Sequence, residues 1–207
     1  MELLELTPSQ LSVFDFVHTV NMSTPTADDL KAALSDLKLV LGSAMVIGGL
    51  AVAHHGYARS TEDLDILYAD SDSAILKRLM PKFKRVKKAK NGWHKFEHRK
   101  TKIRLELIPE GGLTTYGFIP GPHLFESDNG FLPLWGLVWL KLVSGRAKDD
   151  ADVIELTRRR LNDVVSVREK LPSELHERFD ALITRAKQEM ANDPNNSEAE
   201  ELESDDQ

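Results

Sequence analysis

Apolar residues recur along this chain with two different periods, and the change from one to the other divides it. Leu11, Phe14 and Val17 fall at helical spacing behind Thr7-Pro8-Ser9-Gln10, a cap with proline in the first turn and glutamine at the capping-box position. A second helix is predicted from near Thr26, with Asp29 three residues on and Leu30, Ala33, Leu34, Leu37 and Leu41 along one face. The period then shortens. Residues 44–47 read as an apolar strand ended by Gly48-Gly49, residues 50–55 as a short helix stopped by Gly56, and residues 64–68 as a strand. A helix over 73–80 precedes Pro81, and residues 93–98 and 102–108 read as a hairpin turning at Arg99-Lys100-Thr101. Glycines and prolines over 111–122 predict a long loop. Helical spacing returns after Pro133, with Leu134, Leu137, Val138 and Leu142 on one face before Gly145. Further helices are predicted over 151–161 and 164–170, and a last one bears Leu175, Phe179, Leu182 and Ile183.

The expected fold class is therefore α+β: a core with N-terminal helices over 1–122, a helical region over 123–191, and a tail over 192–207. The tail carries seven acids and no base from Asp193 onward, lacks periodic apolar residues, and is expected to be disordered. The opposite charge gathers between Lys77 and Arg104, where thirteen lysines or arginines face one acid, Glu97. Two readings of that stretch stand side by side, a solvated hairpin and helix face or a polyanion-binding surface. The absence of cysteine excludes disulfides, thiolate metal sites and a cysteine nucleophile. The acidic start Met1-Glu2-Leu3-Leu4-Glu5 is not expected to act as a secretory signal, and the most apolar stretch, 131–143, is too short to span a bilayer and holds Lys141. A cytoplasmic protein without membrane attachment is the expectation.

The chemistry centres on carboxylates. On a strand, Asp63 and Asp65 point to one face while Leu64 and Ile66 point to the other. Adjacent carboxylates repel, and keeping both ionised calls for a cation; hard oxygen ligands suit Mg²⁺ or Mn²⁺ rather than zinc. Gly48 and Gly49, between strand and helix, allow either a tight turn or the close approach of an anion to the backbone. Glu106 stands as the single acid of an otherwise apolar strand, either an ordinary salt-bridged edge residue or, if that strand lies beside the first, the third member of a cluster. Two metal ions held there would bridge the attacking and leaving oxygens of an in-line phosphoryl displacement.

These residues resemble the nucleotidyltransferase superfamily with the DNA polymerase β-like fold, in which a strand, a Gly-Gly pair opening a helix, an acid-x-acid strand and a later third acid follow in order. Gly48-Gly49-Leu50-Ala51-Val52, then Arg59, Thr61 and Asp63-Leu64-Asp65, most resemble the branch of the AbiEii-type toxin nucleotidyltransferases and their bacterial relatives. The stretch Leu140-Lys141-Leu142, Gly145-Arg146-Ala147-Lys148-Asp149 and Asp152-Val153 is similar to that branch's lysine-bearing helix and the helix start after it. The resemblance spans residues 46–156 and implies a mixed sheet flanked by helices. It implies transfer of a nucleoside monophosphate from a nucleoside triphosphate to a hydroxyl, with release of pyrophosphate. Asp63, Asp65 and Glu106 would then be catalytic metal ligands, Glu106 helping to deprotonate the acceptor. Gly48 and Gly49 would contact the triphosphate, Arg59 and Lys141 would meet phosphate charge, and Asp152 would orient Lys141 or a neighbour. The acceptor implied by the toxin relatives is RNA, which the basic stretch from Lys77 to Arg104 favours electrostatically; an antitoxin partner is implied with it.

Plainer roles exist for several of these residues. Lys148 and Asp152 are spaced as an exposed helix pair, Asp149 and Asp150 suit a first helical turn, and Lys141 is placed to snorkel from an apolar helix. His54 and His55 are adjacent on a helix, so they do not share a face, and structural roles are expected for both. Other functions also fit the fold: a small-molecule nucleotidyltransferase of the antibiotic-modifying kind, or a non-catalytic module binding nucleotide, RNA or a protein.

Overall fold

The computed structural model describes residues 26–193, except for 60, 62, 70, 73 and 89–92. The helix expected near Leu11 and the acidic tail beyond Asp193 lie outside the described residues. Helix α1 (Ala27–Lys38) starts at Thr26, whose hydroxyl accepts from the Asp29 backbone while the Asp29 carboxylate accepts from the Thr26 backbone. This reciprocal pair satisfies two of the donors that a helix start leaves open. Leu30, Ala33, Leu34 and Leu37 are buried along one face.

A five-stranded mixed sheet follows: β1 (Met45–Ile47), β2 (Asp63–Tyr68), β3 (Phe83–Lys88), β4 (His94–His98) and β5 (Arg104–Pro109), in the spatial order β1-β2-β5-β4-β3. Between β1 and β2 runs α2 (Gly48–His54), and between β2 and β3 runs α3 (Ala74–Leu79). Only the β2–β5 pair is parallel; it is flanked by antiparallel neighbours on both sides. The β4–β5 hairpin turns where expected, with Lys102 at φ 65° and its N–H donating to the His98 carbonyl.

Strand β3 was not among the expected elements. Of its side chains that the structure describes, Lys84, Arg85 and Val86 are exposed and Phe83 turns inward, so this part of the strand shows little of the alternation that marks a half-buried one. It is an edge strand, and its lysines are of the kind that discourage pairing with another chain. The loop over 111–122 likewise contains a small hairpin, β6 (Leu113–Thr114) and β7 (Gly117–Phe118).

The C-terminal part is helical: α4 (Leu134–Ser144), α5 (Ala147–Arg159), α6 (Leu161–Ser166) and α7 (His176–Ala191). Gly145, at φ 64°, ends α4 in the left-handed conformation that glycine adopts at least cost. Helix α5 begins four residues before its expected start because Asp149 and Asp150 lie inside it. The buried apolar residues form one continuous cluster from Ala27 to Ala186, joining sheet and helices. The join is also made by backbone: the Val46 N–H donates to the Gly130 carbonyl and the Leu132 N–H to the Val46 carbonyl. Among the described residues no helix is long and apolar enough to cross a membrane.

Candidate active site

Register brings the acids together. In the parallel β2–β5 pair Asp65 is opposite Glu106 and Asp63 opposite Arg104. Leu64, Ile66, Leu105 and Leu107, which alternate with them, are fully buried. The face bearing Asp63, Asp65 and Glu106 lines a cleft of about 230 Å³, closed on its other side by Lys141 and Ser144 of α4 and by Arg146, Lys148 and Asp149 around the start of α5. Ile47, Trp93, Ile108, Ile119 and Leu140 supply its apolar wall.

Asp65 is the strained member. Burial, reinforced by the charges of Glu106 and Asp63, pushes its carboxyl up to about 6, although Lys141 and Lys148 pull the other way. The two outer acids have cationic neighbours in the sheet. Arg104 Nε lies 2.6 Å from Asp63, and Lys95 pairs with Glu106 from β4.

Gly48 opens onto the same cleft with φ 67°. A Cβ there would come within 2.8 Å of the Asp65 Cγ, so only glycine lets strand β1 turn into α2 directly against the acid. Gly49 is packed against Thr61 instead and does not line the cleft. A Gly48→Ala variant combines a forced φ, costing about 1–2 kcal/mol, with displacement of Asp65. Its melting temperature should fall by several degrees, and if Mg²⁺ stabilises the wild type through Asp65, that stabilisation should be lost. Unchanged stabilisation by Mg²⁺ would refute the link between this glycine and the acid.

Lys141 does not snorkel. Its side chain is buried, with Nζ 2.8 Å from Asp149 and 2.6 Å from Asp152. Asp152 also accepts two N–H bonds from Arg59, at 2.7 and 3.0 Å, and Asp149 accepts two from Arg146, at 2.6 and 3.1 Å, and one from Ser144 at 2.7 Å. Charges thus alternate along Arg59, Asp152, Lys141, Asp149 and Arg146. Burial alone would raise the Asp149 carboxyl, but the bonds from Arg146, Lys141 and Ser144 and the Lys141 charge hold it well below the usual carboxylate range.

Three expectations are corrected by this network. Asp152 is buried against Arg59 and Lys141 rather than forming an exposed pair with Lys148. Asp149 is fully buried and fixes Lys141, more than a first-turn acid answering the helix end. Arg59, expected to meet phosphate charge, stands outside the cleft lining and pairs with Asp152, which holds Lys141 from behind. Reading the residues missed Asp149, Arg146 and Lys148 as cleft-side groups. A signal was present: Asp149 and Asp152 continue the buried stripe of Val153 and Leu156, and acids on an inward-facing stripe need partners.

His54 and His55 depart from expectation in one respect, the direction of their rings. His54 ends α2 and His55 follows it, and their rings meet edge to face with centroids 4.9 Å apart, because both turn toward the 128–132 segment.

The basic stretch is less of a single surface than its composition suggests. Arg78 pairs with Asp72, Lys82 with Asp36, Lys102 with Glu97, and Lys95 and Arg104 with the cleft acids. Lys84 and Arg85 are exposed on the β3 edge. Compared with known proteins, the chain matches no family model and no curated protein.

Proposed function

We propose that this chain is a metal-dependent nucleotidyltransferase, moving a nucleoside monophosphate from a nucleoside triphosphate to a hydroxyl. The carrying observation is the register that sets Glu106 beside Asp65, two residues from Asp63, on a cleft faced by Lys141. The donor set fits Mg²⁺ or Mn²⁺: three carboxylates supply hard oxygens, and the upward push on Asp65, from burial first and from the charges of Glu106 and Asp63 second, is one that a divalent cation would offset. When bound between these acids, such ions polarise phosphoryl oxygens and make a hydroxyl a better nucleophile at neutral pH.

Asp63 and Asp65 would hold the ions, and Glu106 would hold the nucleophile-side ion and accept the proton of the acceptor hydroxyl. The hydroxyl oxygen forms its bond to the α-phosphorus as the bond from that phosphorus to the pyrophosphate oxygen breaks. Pyrophosphate leaves with the bonding electron pair. Lys141 spends two of its three N–H groups on Asp149 and Asp152, which leaves one for a phosphate oxygen. Arg146 and Lys148, both exposed at the cleft, add positive charge where the triphosphate would lie. The backbone at Gly48 permits close approach, and the apolar wall gives the nucleoside a dry side.

An RNA end is the proposed acceptor, because Lys84 and Arg85 extend positive charge along the edge of the same sheet. The test incubates the protein with each labelled nucleoside triphosphate, Mg²⁺ and total bacterial RNA, beside Asp63→Ala/Asp65→Ala. Label should enter RNA with the wild type alone and with a steep loss as salt rises. Metal-dependent triphosphate binding without RNA labelling would move the acceptor to a small molecule. Neither binding nor labelling would overturn the catalytic reading.

A further inference from the structure

A second constellation gathers at the C-terminal end of α2, the opposite end of that helix from Gly48. His54, His55 and Asp128 each offer one ligand atom, and the three atoms lie within 4.8 Å of one another. His54 Nε2 is 2.7 Å from an Asp128 carboxylate oxygen. Buried His55 has its Nε2 2.8 Å from the Leu132 carbonyl oxygen. A carbonyl only accepts, so this nitrogen carries the proton, and in the neutral ring Nδ1 carries the lone pair. An imidazole whose one nitrogen donates to a backbone carbonyl is the arrangement that orients metal-bound histidines.

The other two groups are also held in place. The His54 ring is stacked on Phe131, 4.3 Å between centroids and 4° from parallel. Asp128 stands at the base of a tight turn: it exchanges two backbone hydrogen bonds with Phe131, of 2.9 and 2.8 Å, across Asn129 and Gly130 at φ 52° and 85°. Such a turn needs left-handed backbone at both central positions, which asparagine and glycine supply. Helix, ring stack and turn thus aim two imidazoles and one carboxylate at a common point.

We infer that His54, His55 and Asp128 bind a divalent transition-metal ion, with Zn²⁺ the best match, as a three-ligand site whose fourth position is open to solvent or to a further donor. Two nitrogens and one carboxylate suit zinc and its first-row neighbours, whereas the all-oxygen cleft at Asp63, Asp65 and Glu106 suits Mg²⁺ or Mn²⁺. The chain would therefore carry two metal sites of opposite preference, one at each end of α2. This inference does not rest on the transferase reading.

The test uses tag-free full-length protein stripped with a chelator, in an Asp63→Asn/Asp65→Asn background that disables the acid cleft. Zn²⁺ is titrated by calorimetry and Co²⁺ by visible absorption. One equivalent of Zn²⁺ should bind, and Co²⁺ should give the intense visible bands of a low-coordinate site. Asp128→Asn and His54→Gln, added singly, should each weaken Zn²⁺ binding by about 10–100-fold or more, the scale on which even outer-shell partners act, with the far-ultraviolet circular dichroism unchanged. Half-exposed Asp128 is the safer change for folding. Unaltered Zn²⁺ affinity in both variants would overturn the assignment, and so would absence of Zn²⁺ binding in the cleft-disabled protein.

Discussion

Asp65→Asn should abolish nucleotide transfer while making the protein more stable at pH 8. In the folded chain the Asp65 carboxyl is pushed up to about 6 by burial and by Glu106 and Asp63, whereas an unfolded aspartate titrates near 3.9. The folded state therefore holds a proton that the unfolded state releases, and stability falls as pH rises from about 4 through 6. Above that range the full difference, about 3 kcal/mol at most, opposes folding. The amide removes the charge and keeps the shape. For a chain of this size the gain corresponds to roughly 6–10 °C in melting temperature at pH 8, and it should shrink toward pH 5, where the acid is already largely protonated. Mg²⁺ should raise the melting temperature of the wild type at pH 8 and leave the variant unmoved. On the proposed function, losing Asp65 as a metal ligand would withdraw several kcal/mol of transition-state stabilisation, about 10³-fold or more in rate. A variant that melts at or below the wild-type temperature at pH 8 would refute the electrostatic account; one that keeps its activity would refute the role of Asp65.

The second large effect is expected at Lys141. Lys141→Met retains the length and the apolar stem but leaves Asp149 and Asp152 without the ammonium between them. Breaking a buried pair from one side costs about 3–5 kcal/mol, a large share of the roughly 5–15 kcal/mol that holds a domain together. Urea unfolding should show the midpoint falling sharply with the slope unchanged. Adding Asp152→Asn to Lys141→Met should return part of the loss, although Arg59 then faces an amide. A change below about 1 kcal/mol in the single variant would mean that Arg59 and Arg146 satisfy the two acids unaided.

The parts of this molecule legible in its sequence are those set by local rules. Thr26 with Asp29 marks a helix start wherever it stands, and the turn after His98 follows from its own few residues. The facing of Asp63 with Asp65 needs only strand pleat. That Glu106 stands beside Asp65 needed the spatial order of the strands, which alternation does not specify; the parallel β2–β5 pairing supplies it. Strand β3 escaped because an edge strand that buries one phenylalanine looks like a charged loop. Asp149 escaped for the opposite reason, since an acid near a helix start has an ordinary explanation and its burial depends on Lys141 arriving from another helix. The histidine pair misled because adjacent side chains on a helix diverge in an ideal wheel, whereas His55 lies just past the helix end and its ring can swing toward the same loop as that of His54.

The backbone bonds from Val46 to Gly130 and Leu132 have a consequence for anyone wishing to trim the protein. Strand β1 has β2 on one side only, and on the other it is capped by a segment that arrives more than eighty residues later in the chain. A fragment ending in the loop before Pro122 would bare that edge and the apolar surface beneath it, a template for self-association. The three cleft acids therefore have no excisable minimal module: whatever is expressed to study them must carry the helical half as well.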